Sequence, residues 1–521
     1  MTQPRVSRRA FLTGTAAAGL TLAARRDPPV EAADPKVLKV RSYVQLEILD
    51  PAFQLSAPEG DIIDALLLGL VGLKPGDTWG WERDAALSIE QVDPTHIKFQ
   101  LRPGLGWTGG FGEVTAQDVK FSYERIANPA TKSPYRGDWA KLDQVQITGS
   151  HSGVIVLKEP FIPLWTTTLP TASSAIVCKK AVERMDGQRF TMDPGAVCGP
   201  YRIRKWEPRQ SITLERNPLW TGPPPAFDEI QAIGIVDTNA AEIAYEAGQI
   251  DVTQVPMTSV PRLRGKLPAN SSLVARPGLT YWWLGMQSED GIFKDIRVRK
   301  AVQLAVDVKA VMDGAFFGVA PPSTGIIAPG LVGHREKNLV AGPDLEGARK
   351  LLAEAGHPRG FKTEIGARNT PEFINAAQVI AASLARVGIQ AEVVPFDSGV
   401  QKAMASDKAG GWKKMQMHIQ RFSMRPDPSW ATVWFTTAQI GEWNWERISN
   451  LEYDQLHEKA LAESDPVKRN AMYIRMQDLM EQSGAYVFLT HGVNALLYRN
   501  HLKPVFTPDG NRMMMRRFQL A

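Results

Sequence analysis

The chain has 521 residues, 44% of them hydrophobic, and 60 Lys and Arg against 55 Asp and Glu give it a net charge of +5. That length and apolar content suit a large core divided into two or three lobes, and 43 Gly with 37 Pro argue against a helical bundle. A charge so near balance gives no support to a nucleic-acid partner.

The first element in chain order is Ser7-Arg8-Arg9-Ala10-Phe11-Leu12, followed by a mildly apolar stretch of Ala, Gly, Thr and Leu that runs to Ala24. This is the layout of a twin-arginine export leader. The stretch is short of the roughly 20 apolar residues that a permanent membrane span needs, and no cysteine adjoins it as a lipid-anchor site. Cleavage after Ala24 or after Ala33 is expected, so residues 1–33 are read as the leader. Either cut lowers the net charge by three, to about +2, so the basic balance belongs mostly to the export signal. A periplasmic protein without a lipid anchor is the expected outcome.

Alternating apolar and polar residues then predict strands over Val37–Tyr43, Thr95–Leu101, Val154–Lys158, Ser211–Glu215 and Ile230–Val236, between Pro- and Gly-bearing turns. Ala301, Leu304, Ala305, Val308, Val311 and Met312 share one helical face. Asp344 is placed to cap a helix carrying Ala348, Leu351, Leu352 and Ala355, stopped by Gly356 and Pro358. Lys362–Gly366, Pro371–Val387 with Gly388, and Ile389–Val394 read as strand, helix and strand, which implies a parallel pair joined by a right-handed crossover. The fold class is α/β. The two cysteines, Cys178 and Cys198, could pair in an oxidising compartment or remain buried thiols.

The chemistry that sequence can reveal is sparse. There is no Cys-x-x-Cys pair, and the eight histidines include no closely spaced set. His457-Glu458 lacks the second histidine of a zinc-protease helix, because Leu461 stands in its place. No Gly-x-Ser-x-Gly elbow and no Gly-x-x-x-x-Gly-Lys loop occurs. No metal, cofactor or catalytic residue is therefore assigned.

A series of short strings carries more information. In order they are Leu49-Asp50-Pro51, Phe99-Gln100-Leu101-Arg102-Pro103-Gly104, Thr115-Ala116-Gln117-Asp118-Val119-Lys120-Phe121-Ser122-Tyr123, Gly199-Pro200-Tyr201, and Glu215-Arg216-Asn217-Pro218. Gly248-Gln249-Ile250-Asp251, Asp295-Ile296-Arg297-Val298-Arg299-Lys300-Ala301 and Leu351-Leu352-Ala353-Glu354-Ala355-Gly356 follow. From about residue 37 to 510 this order resembles the large solute-binding proteins of peptide-type ABC importers, family 5. The resemblance implies a two-lobed periplasmic binding protein fold with hinge crossings and an extra β-rich subdomain in the first lobe. Transposed here, lobe I takes residues 37–67, 190–279 and 492–521, the extra subdomain 68–189, and lobe II 280–491. It further implies a monomer that captures a peptide-like or other small organic solute and delivers it to inner-membrane permease subunits with cytoplasmic ATPases. An exported enzyme reusing the fold, or a sensory or chaperone-like binding protein, is the alternative.

The same resemblance implies the ligand-binding candidates. The loop after Asp50-Pro51 contributes Gln54, Leu55 and Ala57, and Tyr135 belongs to a segment that reaches the cleft. Tyr281-Trp282-Trp283 lies near an expected crossing, and adjacent strand residues must point to both faces, so Tyr281 and Trp282 are candidates. His418, Gln420, Arg421, Phe422 and Met424 precede Asp427-Pro428. Met424 stands where peptide receptors of this family carry the carboxylate that pairs with a ligand ammonium. A buried ammonium without its counter-charge is costly, so a free-amine peptide is disfavoured on this reading. Arg421 and Arg425 offer guanidinium groups to a carboxylate, and Trp430, Trp434, Trp443 and Trp445 offer flat faces.

Overall fold

The computed structural model describes residues 36–406 and 410–521. The expected leader, residues 1–33, lies outside the described residues. Two large sheets dominate. The first has seven strands in the order Tyr201–Glu207, Ser211–Arg216, Glu229–Gly234, Val37–Ser42, Val252–Val255, Val493–Arg499 and Ser271–Pro277. Both of its faces are covered, and strand alternation shows how: Leu496 joins one core cluster while Ala495 and Leu497 join another on the opposite side.

The second sheet has five strands in the order Gln390–Phe396, Lys362–Arg368, Met417–Ser423, Thr280–Met286 and Tyr486–Thr490. Lys362–Arg368 runs parallel to Gln390–Phe396, with the helix Pro371–Ala385 between them. This is the expected strand, helix and strand unit, and Gly388 takes the positive φ of +89° that lets the chain leave the helix. Asp344 caps Leu345–Glu354 by accepting from the Gly347 N–H at 2.9 Å.

The face running from Ala301 to Met312 belongs to two helices rather than one. Ile296–Ala305 ends before Val306, and Asp307 caps a second helix, Val308–Ala315, by accepting from the Ala310 N–H at 3.0 Å. An apolar stripe persists across that break because both helices bury it in one core. Capping chemistry, not periodicity, decided the boundary.

A four-stranded antiparallel sheet, in the order Ala86–Asp93, His96–Leu101, Ser152–Leu157 and Leu142–Gly149, forms a further layer with the helix Ala116–Ala127. The Asp118 carboxylate closes the capping box of that helix at Thr115 and also accepts from the Lys179 N–H at 2.9 Å. Its core is continuous with one face of the seven-stranded sheet. Cys178 and Cys198 are free and buried, and burial pushes the Cys198 thiol up to about 12.

The two large sheets are joined by two adjacent crossings. Ser271–Pro277 passes into Thr280–Met286 through Gly278-Leu279, and Tyr486–Thr490 passes into Val493–Arg499 through His491-Gly492. Gly278 donates its N–H to Gly492 O at 3.2 Å, so the crossings run side by side. A Cβ on Gly278 would stand 3.3 Å from His491 O, which favours glycine at this close approach.

Candidate functional site

Asp50 organises the first wall of the site. Its carboxylate is fully buried, receives Arg125 Nη2 at 2.5 Å and Nη1 at 3.1 Å, and accepts the Ala52 N–H at 3.0 Å. This buried, doubly bonded pair fixes the loop after Asp50-Pro51. Ser56 then starts the helix Ala57–Leu66 with a capping box to Glu59, whose other oxygen accepts from the N–H groups of Glu47 and Ile48. Between those two anchors, Gln54 Nε2 donates to Tyr135 Oη at 2.8 Å, and that hydroxyl donates to Gln54 O at 2.5 Å. Burial raises the Tyr135 phenol above its ordinary value, and nearby Arg425 acts the other way.

The opposite wall follows the strand Met417–Ser423. Arg425 lies 3.9 Å from the centre of the Trp430 ring and pairs with Asp138 across the gap. Asp138 is itself buried, which raises its carboxyl above the usual range despite Arg425. Close by, Asp427 Oδ2 accepts from Thr166 Oγ1 at 2.7 Å, and Ile162 donates its N–H to Leu461 O at 2.8 Å. Residues 138–166 thus hold the region that follows the five-stranded sheet. Replacing Arg425 with alanine leaves Asp138 buried without its cation, at an expected cost of about 1–3 kcal/mol in unfolding free energy. The variant is also expected to show a larger radius of gyration in small-angle scattering. An unchanged profile would mean that the remaining contacts suffice.

Between these walls lies a cavity of about 380 Å³. Gln54, Leu55, Ser56, Ala57 and Tyr135 line one side, and Leu279, Ser423, Met424, Arg425 and Pro426 another. Leu55 is 76% exposed and borders the cavity. Trp79, beside Leu73, Thr171 and Ala172, and the turn residues Thr507, Asp509, Asn511 and Arg512 line the remainder. Sequence reasoning missed both groups. The aromatic loop Gly76-Asp77-Thr78-Trp79-Gly80-Trp81 and the turn string Pro508-Asp509-Gly510-Asn511 were the available signals.

The structure brings Gln54, Leu55, Ala57, Tyr135 and Met424 together on this cavity, and it does not bring the other candidates there. Tyr281 and Trp282 are buried on opposite faces of the five-stranded sheet. Tyr281 stacks on Trp283, while Trp282 packs against Phe316 and Phe373. Both faces of that strand are core, so alternation sends every ring into packing. Gln420 is buried and accepts from Arg368 Nη2 at 3.1 Å. Arg421 is exposed, with its guanidinium 5.2 Å from the centre of the Trp282 ring, and Phe422 packs edge-on against Trp283.

His418 is buried with its Nε2 3.0 Å from Glu446 Oε1, which also accepts from Trp283 Nε1 at 2.6 Å. A Cβ on Gly285 would fall 2.1 Å from that Glu446 oxygen, so this polar cluster requires glycine on the neighbouring strand. Among the described residues no group of three or more His, Cys, Asp or Glu could hold a metal ion, and no helix is long and apolar enough to cross a membrane.

Residues 82–442 match the family model described as bacterial extracellular solute-binding proteins, family 5, middle. The chain is 25% identical to the periplasmic oligopeptide-binding protein OppA of Escherichia coli, over 94% of this chain and 93% of that one. It is 24% identical to the glutathione-binding protein GsiB of Shigella dysenteriae, over 74% and 76% of the two chains. Its fold is similar to the solved structure of HbpA2 from Haemophilus parasuis, with a TM-score of 0.82 and 20% identity over 93% of this chain and all of that one.

Proposed function

Because the chain belongs to the bacterial extracellular solute-binding proteins of family 5, we propose that the cavity between the two sheets is its solute site and that Gln54, Leu55, Ala57, Tyr135 and Met424 touch the ligand. The protein is the substrate-binding component of an importer of the peptide ABC type. The finer reading is a periplasmic monomer, exported by the twin-arginine route, that takes up a peptide-like or other small organic solute and presents it to inner-membrane permease subunits. Its lobes follow residues 37–67, 190–279 and 492–521 on one side and 280–491 on the other, with 68–189 as the extra subdomain.

The observation that carries this reading is the cavity itself. Its lining comes from chain segments as distant as Gln54, Met424 and Asn511, drawn together where the two sheets meet. The mechanism is non-covalent. Ligand contacts made on both walls at once favour the closed arrangement, and release follows when they are lost. No residue takes a catalytic part, so bound solute is expected to be recovered unchanged.

A thermal-shift screen of the leaderless protein against peptides, amino-acid derivatives, aromatic acids, sugars and metal complexes tests it. A ligand at a hundredfold excess over Kd adds about 2.7 kcal/mol to the folded state. A single chemical class is expected to raise the melting temperature, and turnover of that compound would overturn the receptor reading.

A further inference from the structure

We infer that Asp509 is the cation anchor of this cavity, so that the solute carries an ammonium or guanidinium group. The inference rests on the solute-site reading above and specifies its ligand. Three charged residues line the cavity: Arg425, Asp509 and Arg512. Arg425 pairs with Asp138, and Arg512 pairs with Asp61, and neither of those carboxylates borders the cavity. Both arginines are therefore neutralised from behind. Asp509 has no Lys, Arg or His within ion-pair distance among the described residues, and it is the one carboxylate of the lining.

Asp509 is built as a site rather than left as a surface acid. It is 5% exposed, and Thr507 Oγ1 at 2.6 Å and the Asn511 N–H at 3.2 Å both donate to its Oδ1. Gly510 turns the chain with a φ of +70°, and Thr507 Oγ1 also accepts from the Arg512 N–H at 3.0 Å. These bonds hold one carboxylate oxygen and leave Oδ2 without a donor side chain among the described residues. Burial raises this carboxyl above the usual range, while its hydrogen bonds and the nearby Arg512 act the other way, and no ion pair among the described residues includes it. A bound cation supplies one. Leu73, Trp79, Leu279 and Met424 give the lining an apolar part beside the polar Gln54, Ser56, Ser423 and Asn511, so the cationic group belongs to a solute with both apolar and hydrogen-bonding parts.

This assignment changes the expectation drawn from Met424. The counter-charge absent from that position is present on the turn Thr507–Arg512. A free amine is then favoured, with its nitrogen towards Asp509.

The test compares wild type with Asp509→Asn and Asp509→Glu, using two matched mixtures of random di- to tetrapeptides built without Lys, Arg or His, one with free N-termini and one N-acetylated. A third set holds arginine, agmatine and putrescine. Retained compounds are identified by mass spectrometry after gel filtration. The wild type is expected to retain compounds bearing a free cationic group. Asp509→Asn is expected to weaken them thirtyfold or more, about 2 kcal/mol, while Asp509→Glu keeps part of the affinity. The asparagine variant without ligand is expected to melt no lower than wild type, because it removes an unpaired buried charge. Equal retention of acetylated and free peptides overturns the anchor and leaves the solute-site reading standing. Retention of only non-peptide amines upholds the anchor and overturns the peptide class. No retention from any of the three sets overturns the anchor.

Discussion

Replacing Arg469 with methionine is expected to lower the unfolding free energy by about 3–5 kcal/mol, as a buried ion pair does when one partner is removed. Asp427 is fully buried, and Arg469 Nη2 reaches both of its oxygens, at 2.9 and 2.8 Å. The same carboxylate accepts from the Ser429 N–H at 2.9 Å and from Thr166 Oγ1 at 2.7 Å, while Arg469 Nε donates to Ala460 O at 2.8 Å. One pair thus ties the helix Pro466–Gln482, the helix Leu451–Ala462, the start of Ser429–Thr432 and residue 166 of the distant β-rich layer. Without the guanidinium the Asp427 charge has no cation inside the protein. The double variant Asp427→Asn with Arg469→Met is expected to recover most of the loss, since it removes the stranded charge as well. Urea unfolding at neutral pH measures all three proteins. A loss below about 1 kcal/mol for the single variant would mean that water reaches Asp427 and the pair behaves like a surface one.

Much of this architecture was legible wherever one local rule governed. Strand alternation located Ser211–Arg216 and Glu229–Gly234 to within a few residues, because each packs one face on a continuous core. Capping chemistry found the helix after Asp344. The string Leu49-Asp50-Pro51 is explained by what its carboxylate holds, since Asp50 secures Arg125 and the loop that carries Gln54.

The site was harder for a physical reason. Its lining is assembled from segments far apart in the chain, and the Pro-Asp-Gly string at Asp509 signals a turn without saying what that turn faces. The aromatic string Tyr281-Trp282-Trp283 drew attention by its composition. Composition cannot tell a strand buried on both faces from one with a face on a cleft, and here both faces are core. His418 likewise reads as a free polar side chain until Glu446 and Trp283 are seen beside it.

His491 is expected to make the protein lose stability as pH falls from neutral towards 5, and the effect is localised at the crossings. The residue is 3% exposed between the strands Tyr486–Thr490 and Val493–Arg499, and neither ring nitrogen has a hydrogen-bond partner among the described residues. Burial lowers its pKa from 6.5 to about 3, and His334 acts in the same direction. In the unfolded chain the ring takes up a proton near its ordinary pKa, while in the folded protein it stays neutral. The unfolded state therefore binds more protons between the two values, and stability present above pH 6.5 is lost progressively as pH falls towards 3. From pH 7 to pH 5 the loss amounts to about 2 kcal/mol. His491→Leu removes this contribution and leaves every other titrating group in place, so the difference between variant and wild type isolates it. Urea unfolding of both proteins at the two pH values is the measurement. Wild type is expected to lose about 2 kcal/mol more than the variant, and equal losses would mean that solvent reaches the ring through the crossings. The consequence for function follows from position. Gly492 follows His491 in the chain and Gly278 closely approaches its carbonyl oxygen, so a proton forced onto His491 acts on the two segments that connect the sheets rather than on the cavity lining.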